Sequence, residues 1–195
     1  DYDAVGQLTT RTINGERKET YKYDPNGNLS QTTNALGQKS TKDYDAGNRL
    51  TSATDTAGRI TAYQYDKDDR LTKVTSSTGA SNNFSYDGNG NLTQVSSSGK
   101  RVNTYTYDKA DQLLESRIGL DKEASKTSYA YDAVGNITSI TNGNGKTTKY
   151  NYDELSNVVE KANALGEKTH YTYDADNRLK QVKQANDKTI TYDYN

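Results

Sequence analysis

Tyr21-Lys22-Tyr23-Asp24-Pro25-Asn26-Gly27-Asn28-Leu29 is the stretch whose reading decides the fold. Tyr21 and Tyr23 are two apart, so on a strand they share one face while Lys22 points to the other. Tyrosine and threonine favour strands. Asp24 suits the first position of a turn, where its side chain can bond the backbone two residues on. Pro25 fits the second position through its fixed φ. Gly27 stands where a left-handed residue closes the turn as a bulge. The chain then returns to Leu29, which lies roughly opposite Tyr23 on a partner strand.

The same stretch recurs along the whole chain. The second tyrosine falls at Tyr2, Tyr23, Tyr44, Tyr65, Tyr86, Tyr107, Tyr131, Tyr152, Tyr173 and Tyr194, 21 residues apart except for 24 between Tyr107 and Tyr131. The first aromatic falls at Tyr21, Tyr63, Phe84, Tyr105, Tyr129, Tyr150, Tyr171 and Tyr192, with Lys42 in its place once. Together these positions hold all 17 tyrosines and the single phenylalanine. An aspartate follows at Asp3, Asp24, Asp45, Asp66, Asp87, Asp108, Asp132, Asp153 and Asp174. Four residues after the tyrosine stand Gly6, Gly27, Asn48, Asp69, Gly90, Asp111, Gly135, Ser156 and Asn177, mostly types that tolerate positive φ. Six residues after it stand Leu8, Leu29, Leu50, Leu71, Leu92, Leu113, Ile137, Val158 and Leu179. These columns are the expected structural repeat positions.

A fixed period of this size means one supersecondary unit stacked on itself, each contacting mainly its neighbours. Residues 1–195 therefore read as one continuous repeat region of about nine units. A three-residue insertion lies near 118–126. A second turn is expected about 14 residues after the tyrosine, marked by Gly37, Gly58, Gly79, Gly145 and Gly166, with Gly15 and Gly99 one place early and Asp121 and Asp187 substituting. It reads as the more variable of the two turns. The column of Val74, Val95, Ile140 and Val182 also holds Arg11, Ser116 and Lys161; a bulge or a half-open face would both produce that mixture.

Turn residues recur too often to leave room for an ordinary helix of about 11–12 residues. The fold class is all-β: a repeat array of hairpins in an antiparallel sheet. Some 18 to 20 strands exceed the roughly 10 that an open sheet usually holds, and sheets twist, so a curved or spiralling wall is expected. Leu, Ile, Val and Phe make up only 27 of 195 residues. That is too few for a thick aliphatic core, and a thin layer of rings and single leucines is expected instead.

Charge excludes several functions. The 25 basic and 26 acidic residues are intermixed, so no basic stripe points to nucleic acid. No apolar run approaches a membrane span. Cysteine is absent, so no disulfide framework exists and cysteine usage says nothing of compartment. The chain starts in mid-motif at Asp1 and reads as a piece of a larger protein. Nine copies of Tyr-Asp argue for turns and against catalysis, because chemistry needs one site. Asp24–Asn28 and Asp87–Asn91 resemble the start of an EF-hand loop, but the sixth position is leucine and the twelfth is Ala35 or Ser98, not glutamate. His170 is the only histidine and reads as a strand-surface residue. No enzyme activity, cofactor or metal is expected.

Tyr-Asp-x-x-Gly-Asn/Arg-Leu every 21 residues, closest in Tyr23–Leu29 and Tyr86–Leu92, resembles the YD repeat of the RHS family. The resemblance covers the whole chain. It implies kinship with bacterial polymorphic toxins, wall-associated proteins, the cocoon of Tc toxin complexes and teneurins, whose repeats wind into a hollow β-shell. It implies a secreted or cell-surface, non-catalytic wall segment that encloses or presents a toxin or effector. Its partners would be flanking repeats and a C-terminal toxin domain. The self-cleaving closing segment of many relatives has no counterpart here. The alternative is a carbohydrate or cell-surface binding module using exposed tyrosines; solvent exposure of the rings separates the two. Unpaired terminal strands are also expected to favour self-association.

Overall fold

The computed structural model of the chain describes residues 1–13, 15, 17–98, 102–119 and 125–194. Gly99, Asp121 and most of the insertion near 118–126 lie outside the described residues. Eighteen strands form, and among the described residues there is no helix. They are β1 (Thr10–Ile13), β2 (Arg17–Tyr23), β3 (Leu29–Thr33), β4 (Lys39–Tyr44), β5 (Leu50–Thr54), β6 (Ile60–Tyr65), β7 (Leu71–Ser76), β8 (Ser81–Tyr86) and β9 (Leu92–Ser97). Then follow β10 (Val102–Tyr107), β11 (Leu113–Ile118), β12 (Ser125–Tyr131), β13 (Ile137–Thr141), β14 (Thr147–Tyr152), β15 (Val158–Ala162), β16 (Lys168–Tyr173), β17 (Leu179–Lys183) and β18 (Thr189–Thr191). The chain forms two compact bodies, Asp1–Ser85 with Gln94–Arg101, and Tyr86–Thr93 with Val102–Asn195.

Within each body, strands pair antiparallel with their neighbours in sequence. In the first, β2 to β8 follow one another in hairpins. The second repeats the scheme from β10 to β18. Across the Tyr-Asp turns the tyrosine faces the aliphatic residue, as Tyr23 faces Leu29, Tyr65 faces Leu71 and Tyr131 faces Ile137. Such a pair contributes about 0.2–1 kcal/mol.

Next to each of these pairs the register slips by one residue, as between Lys22 and Tyr23. That bulge leaves Ser30, Thr51 or Thr72 without an opposite residue. Their hydroxyls donate instead to Lys22 O, Asp43 O and Gln64 O at 3.1–3.2 Å. Beyond the bulge, the mixed column is aligned with the first aromatic: Tyr63 faces Val74, Tyr105 faces Ser116, Tyr150 faces Lys161. At the position where Lys42 replaces the ring, the opposite residue is the small Ala53. The bulge accounts for the column, because it moves the pairing partner one place along.

The second turn is the more variable of the two, since bonds such as Ser98 N–H to Ser81 O (2.8 Å) and Gly119 N–H to Val102 O (3.0 Å) replace its usual closure, but in several repeats it copies the first. Asn34 N–H donates to Gln38 O (2.9 Å) and Gly37 N–H to Asn34 O (2.9 Å), the same closure as Asp24 N–H to Asn28 O (2.9 Å) and Gly27 N–H to Asp24 O (3.0 Å). Asp55–Arg59, Asn142–Lys146 and Asn163–Glu167 close identically. Where this closure forms, an Asn, Asp, Ser or Gln stands eleven residues after the tyrosine.

Among the described residues none is buried. The rings of the ladder are mostly half-covered. Apolar turn tips stand in water, Leu36 at 81 % and Leu165 at 83 % exposure.

Candidate functional site: the tyrosine ladder and its turn edge

Each Tyr-Asp turn is built around one carboxylate. Asp24 Oδ1 accepts the N–H groups of Asn26 and Asn28, both at 2.9 Å, and Oδ2 accepts Asn28 Nδ2 at 3.0 Å. The Asn28 amide, with those N–H groups, holds the Asp24 carboxyl below the ordinary carboxylate range against a smaller desolvation effect. Backbone and guanidinium bonds from Arg49 do the same for Asp45, and those from Arg178 for Asp174. At Asp66, Asp87 and Asp132, desolvation pushes upward, and hydrogen bonds from the turn outweigh it. The residue that closes the turn has positive φ in every repeat: Gly27 (86°), Gly90 (95°) and Gly135 (96°), but also Asn48 (61°), Asp69 (62°) and Ser156 (65°).

Eight of the second tyrosines reach back one repeat. Tyr23 Oη donates to Leu8 O (3.0 Å), Tyr44 to Leu29 O (3.1 Å), Tyr65 to Leu50 O (2.9 Å) and Tyr107 to Leu92 O (3.0 Å). Tyr131 bonds Leu113 O (2.9 Å), Tyr152 bonds Ile137 O (2.8 Å) and Tyr173 bonds Val158 O (3.1 Å). Tyr194 bonds Leu179 O at 2.8 Å. The aliphatic residue thus serves twice: its side chain faces one tyrosine and its carbonyl accepts from the next. Tyr131 keeps this bond across the insertion, so the extra length is absorbed elsewhere in that repeat. Desolvation, reinforced by the preceding repeat's aspartate, raises the hydroxyl pKa of Tyr107, Tyr131, Tyr152 and Tyr173.

A second ladder runs along the turns. Asn28 Nδ2 donates to Asn48 Oδ1 (2.7 Å), Arg49 Nη1 to Asp69 Oδ1 (2.6 Å) and Asn91 Nδ2 to Asp111 Oδ1 (2.6 Å). Asn136 bonds Ser156 Oγ (3.1 Å) and Asn157 bonds Asn177 Oδ1 (2.5 Å). Two arginines of this column also lie over the next tyrosine: Arg49 is 5.0 Å from the Tyr65 ring centre and Arg178 is 4.8 Å from that of Tyr194. Sequence reasoning missed both ladders, although a donor five residues after each tyrosine was visible.

The first aromatics behave differently. Tyr21 Oη donates to Glu19 Oε2 at 2.9 Å, whereas the hydroxyls of Tyr63, Tyr105, Tyr129, Tyr150 and Tyr171 make no hydrogen bond within the described residues. These rings are half-buried and Tyr192 is exposed. Tyr171 lines a shallow groove of about 460 Å³ with Lys161, Asn163 and Val182. His170 Nδ1 stands 3.6 Å from Glu160 on the opposite face, half exposed. Among the described residues no group of acidic or histidine side chains is placed to hold a metal. Among the described residues no helix is long and apolar enough to cross a membrane.

The pattern of the RHS repeat matches residues 2–39, 44–81, 86–118, 131–168 and 152–189. The chain belongs to the RHS-repeat family. This RHS segment is similar in fold to the crystal structure of TcdB2-TccC3-TEV, with TM-score 0.65 and 16% identity over 98% of the chain. It is equally similar to TcdB2-TccC3 without its hypervariable C-terminal region, with TM-score 0.66 and 15% identity over 98% of the chain. The RHS segment spans 11% of each of those chains. No curated protein matches the sequence. The segment is an array of RHS repeats that shares its fold with part of those chains.

Proposed function

We propose that this RHS segment is part of the wall of a β-shell that encloses or presents a toxin or effector domain of its parent protein, outside the cell. It does so without catalysis. Its columns of Tyr, Asp, Gly and Leu hold the wall together, and its partners are flanking repeats and a C-terminal effector domain. One observation carries this reading. The hydroxyls of Tyr23, Tyr44, Tyr65, Tyr107, Tyr131, Tyr152, Tyr173 and Tyr194 each bind a carbonyl of the preceding repeat, which fastens these repeats to the ones before them. The solved structures of similar fold support it.

Protease protection tests the proposal. In the parent protein, the domain following the repeats should resist digestion. Paired substitutions such as Tyr44→Ala and Tyr65→Ala should open it to cleavage. A domain equally protected in both proteins would refute enclosure by this wall.

The second reading, glycan or cell-surface binding, rests on the unengaged hydroxyls of Tyr63, Tyr105, Tyr129, Tyr150 and Tyr171. A glycan array settles it: signal lost on Tyr→Phe changes in this column, with the fold retained, would favour binding.

A further inference from the structure

We propose that Asn142–Gly143 is a site of spontaneous deamidation, at which the folded protein converts Asn142 to aspartate. In this reaction the glycine amide nitrogen attacks the asparagine Cγ and gives its proton to water. The Cγ–Nδ2 bond breaks, and ammonia leaves from a five-membered imide. Water then adds to one of the two imide carbonyls and reopens its C–N bond: opening at Cγ leaves aspartate, and opening at the backbone carbonyl leaves its isomer isoaspartate. The sum is asparagine plus water giving aspartate plus ammonia, with no oxidant or reductant.

Four Asn-Gly pairs lie among the described residues: Asn26–Gly27, Asn89–Gly90, Asn142–Gly143 and Asn144–Gly145. In three of them the attacking nitrogen is held in the turn. Gly27 N–H donates to Asp24 O (3.0 Å), Gly90 N–H to Asp87 O (3.2 Å) and Gly145 N–H to Asn142 O (2.9 Å). Gly143 N–H makes no hydrogen bond within the described residues. Its nitrogen is the one that can lose a proton without breaking the fold.

The amide under attack is also prepared. Asn142 Oδ1 accepts the N–H groups of Asn144 (3.0 Å) and Lys146 (3.1 Å). Two fixed backbone donors therefore point at the oxygen on which negative charge grows as the tetrahedral intermediate forms. Asn142 Nδ2 likewise makes no hydrogen bond within the described residues. At the matching positions Asn34 Nδ2 donates to Gln38 Oε1 (2.8 Å) and Asn163 Nδ2 to Glu167 Oε2 (2.6 Å). Asn142 faces Lys146 in that place, which brings no acceptor. Asn34 and Asn163 are each followed by alanine, whose methyl group obstructs the attack.

The product has a ready-made place. Asp55 fills the equivalent position in another repeat, with Oδ1 accepting Ala57 N–H and Arg59 N–H at 2.9 Å each and Oδ2 paired with Arg59 at 2.7 Å. An aspartate at 142 would keep both backbone bonds and gain Lys146 as an ion partner.

Peptide mapping by mass spectrometry of the folded chain, held at mildly alkaline pH, tests this. Conversion at Asn142 is expected on the order of tenfold faster than at Asn26, Asn89 or Asn144, a difference within the reach of fixed oxyanion donors. In strong urea the four rates should converge. Lys146→Glu, which restores an acceptor for Nδ2, should slow the site, and Asn142→Asp should melt no lower than the parent chain. Asn142 reacting no faster than Asn144 in the folded chain would overturn the proposal. So would an unchanged ratio of rates in urea.

Discussion

The Tyr44 hydroxyl donates to the Leu29 carbonyl at 3.1 Å, just past the point where β3 and β4 stop pairing at Gln31 and Thr41. The side chain stands in for the ladder bond that the separating strands no longer make. Tyr63 lies in the neighbouring column and its hydroxyl has no such partner. Tyr44→Phe should therefore cost about 0.5–1.5 kcal/mol, the net worth of one hydrogen bond, and Tyr63→Phe close to nothing. Urea unfolding of the two variants side by side decides it. Equal losses would mean the hydroxyl ladder does not stabilise the sheet.

Asp24 organises its turn through three hydrogen bonds. Asp24→Ala leaves two backbone N–H groups to water and should destabilise by about 1 kcal/mol. Asp24→Asn should recover most of that, because Asn34 does the same work in the second turn, with Oδ1 bonded to Leu36 N–H and Gln38 N–H at 3.0 Å each. Thermal midpoints of the two variants give the comparison. Asn failing as badly as Ala would show that charge, and not geometry, holds the turn.

Gly27 sits at φ 86°, and an added Cβ would come within 2.9 Å of Gln7 Nε2, the end of a flexible side chain. Backbone strain therefore dominates over crowding. Gly27→Val should cost about 1–2 kcal/mol, the left-handed penalty for an ordinary L-residue. Gly27→Asn should be milder, as Asn48 already occupies the equivalent place at φ 61°. The ranking Gly, Asn, Val in denaturation midpoint is the checkable outcome.

Both ends of the pH scale should weaken the sheet. Folding lowers the pKa of Asp24, Asp45, Asp55, Asp66, Asp87, Asp132, Asp153 and Asp174. Their contribution is complete above the unfolded aspartate pKa of about 3.9 and is lost as pH falls through the lower folded values. Folding raises the pKa of Tyr107, Tyr131, Tyr152 and Tyr173. Their contribution is complete below the unfolded tyrosine pKa of about 10 and is lost as pH rises through the higher folded values. Stability should be level between these limits. A fall in denaturation midpoint between pH 5 and 8 would contradict the assignment.

Much of the molecule was legible before any coordinates. The two-residue spacing of Tyr21 and Tyr23 marked a strand, and Asp24 with Gly27 marked a turn of known hand. The aliphatic residue six places on marked the partner strand. These are local signals, each resting on a few neighbouring backbone angles. Less was legible where geometry intervened. The partner of Tyr63 is Val74 only because the bulge adds one residue between them. The second turn's resemblance to the first rests on Asn34, Asp55 and Asn142, which bond the backbone as Asp24 does.

The sequence by itself determined the period, the alternation of strand and turn, and the membership of each column, since these follow from residue type and spacing. Only the tertiary structure decided what the two tyrosines do. Their side chains are identical, so no propensity separates them. The strands part beside Leu29 and leave a carbonyl without a backbone donor, and Tyr44 is the ring placed to reach it. Tyr63 meets a continuous ladder and has nothing to satisfy. That difference comes from where strands stop pairing, which depends on the bulge and the neighbouring repeat together.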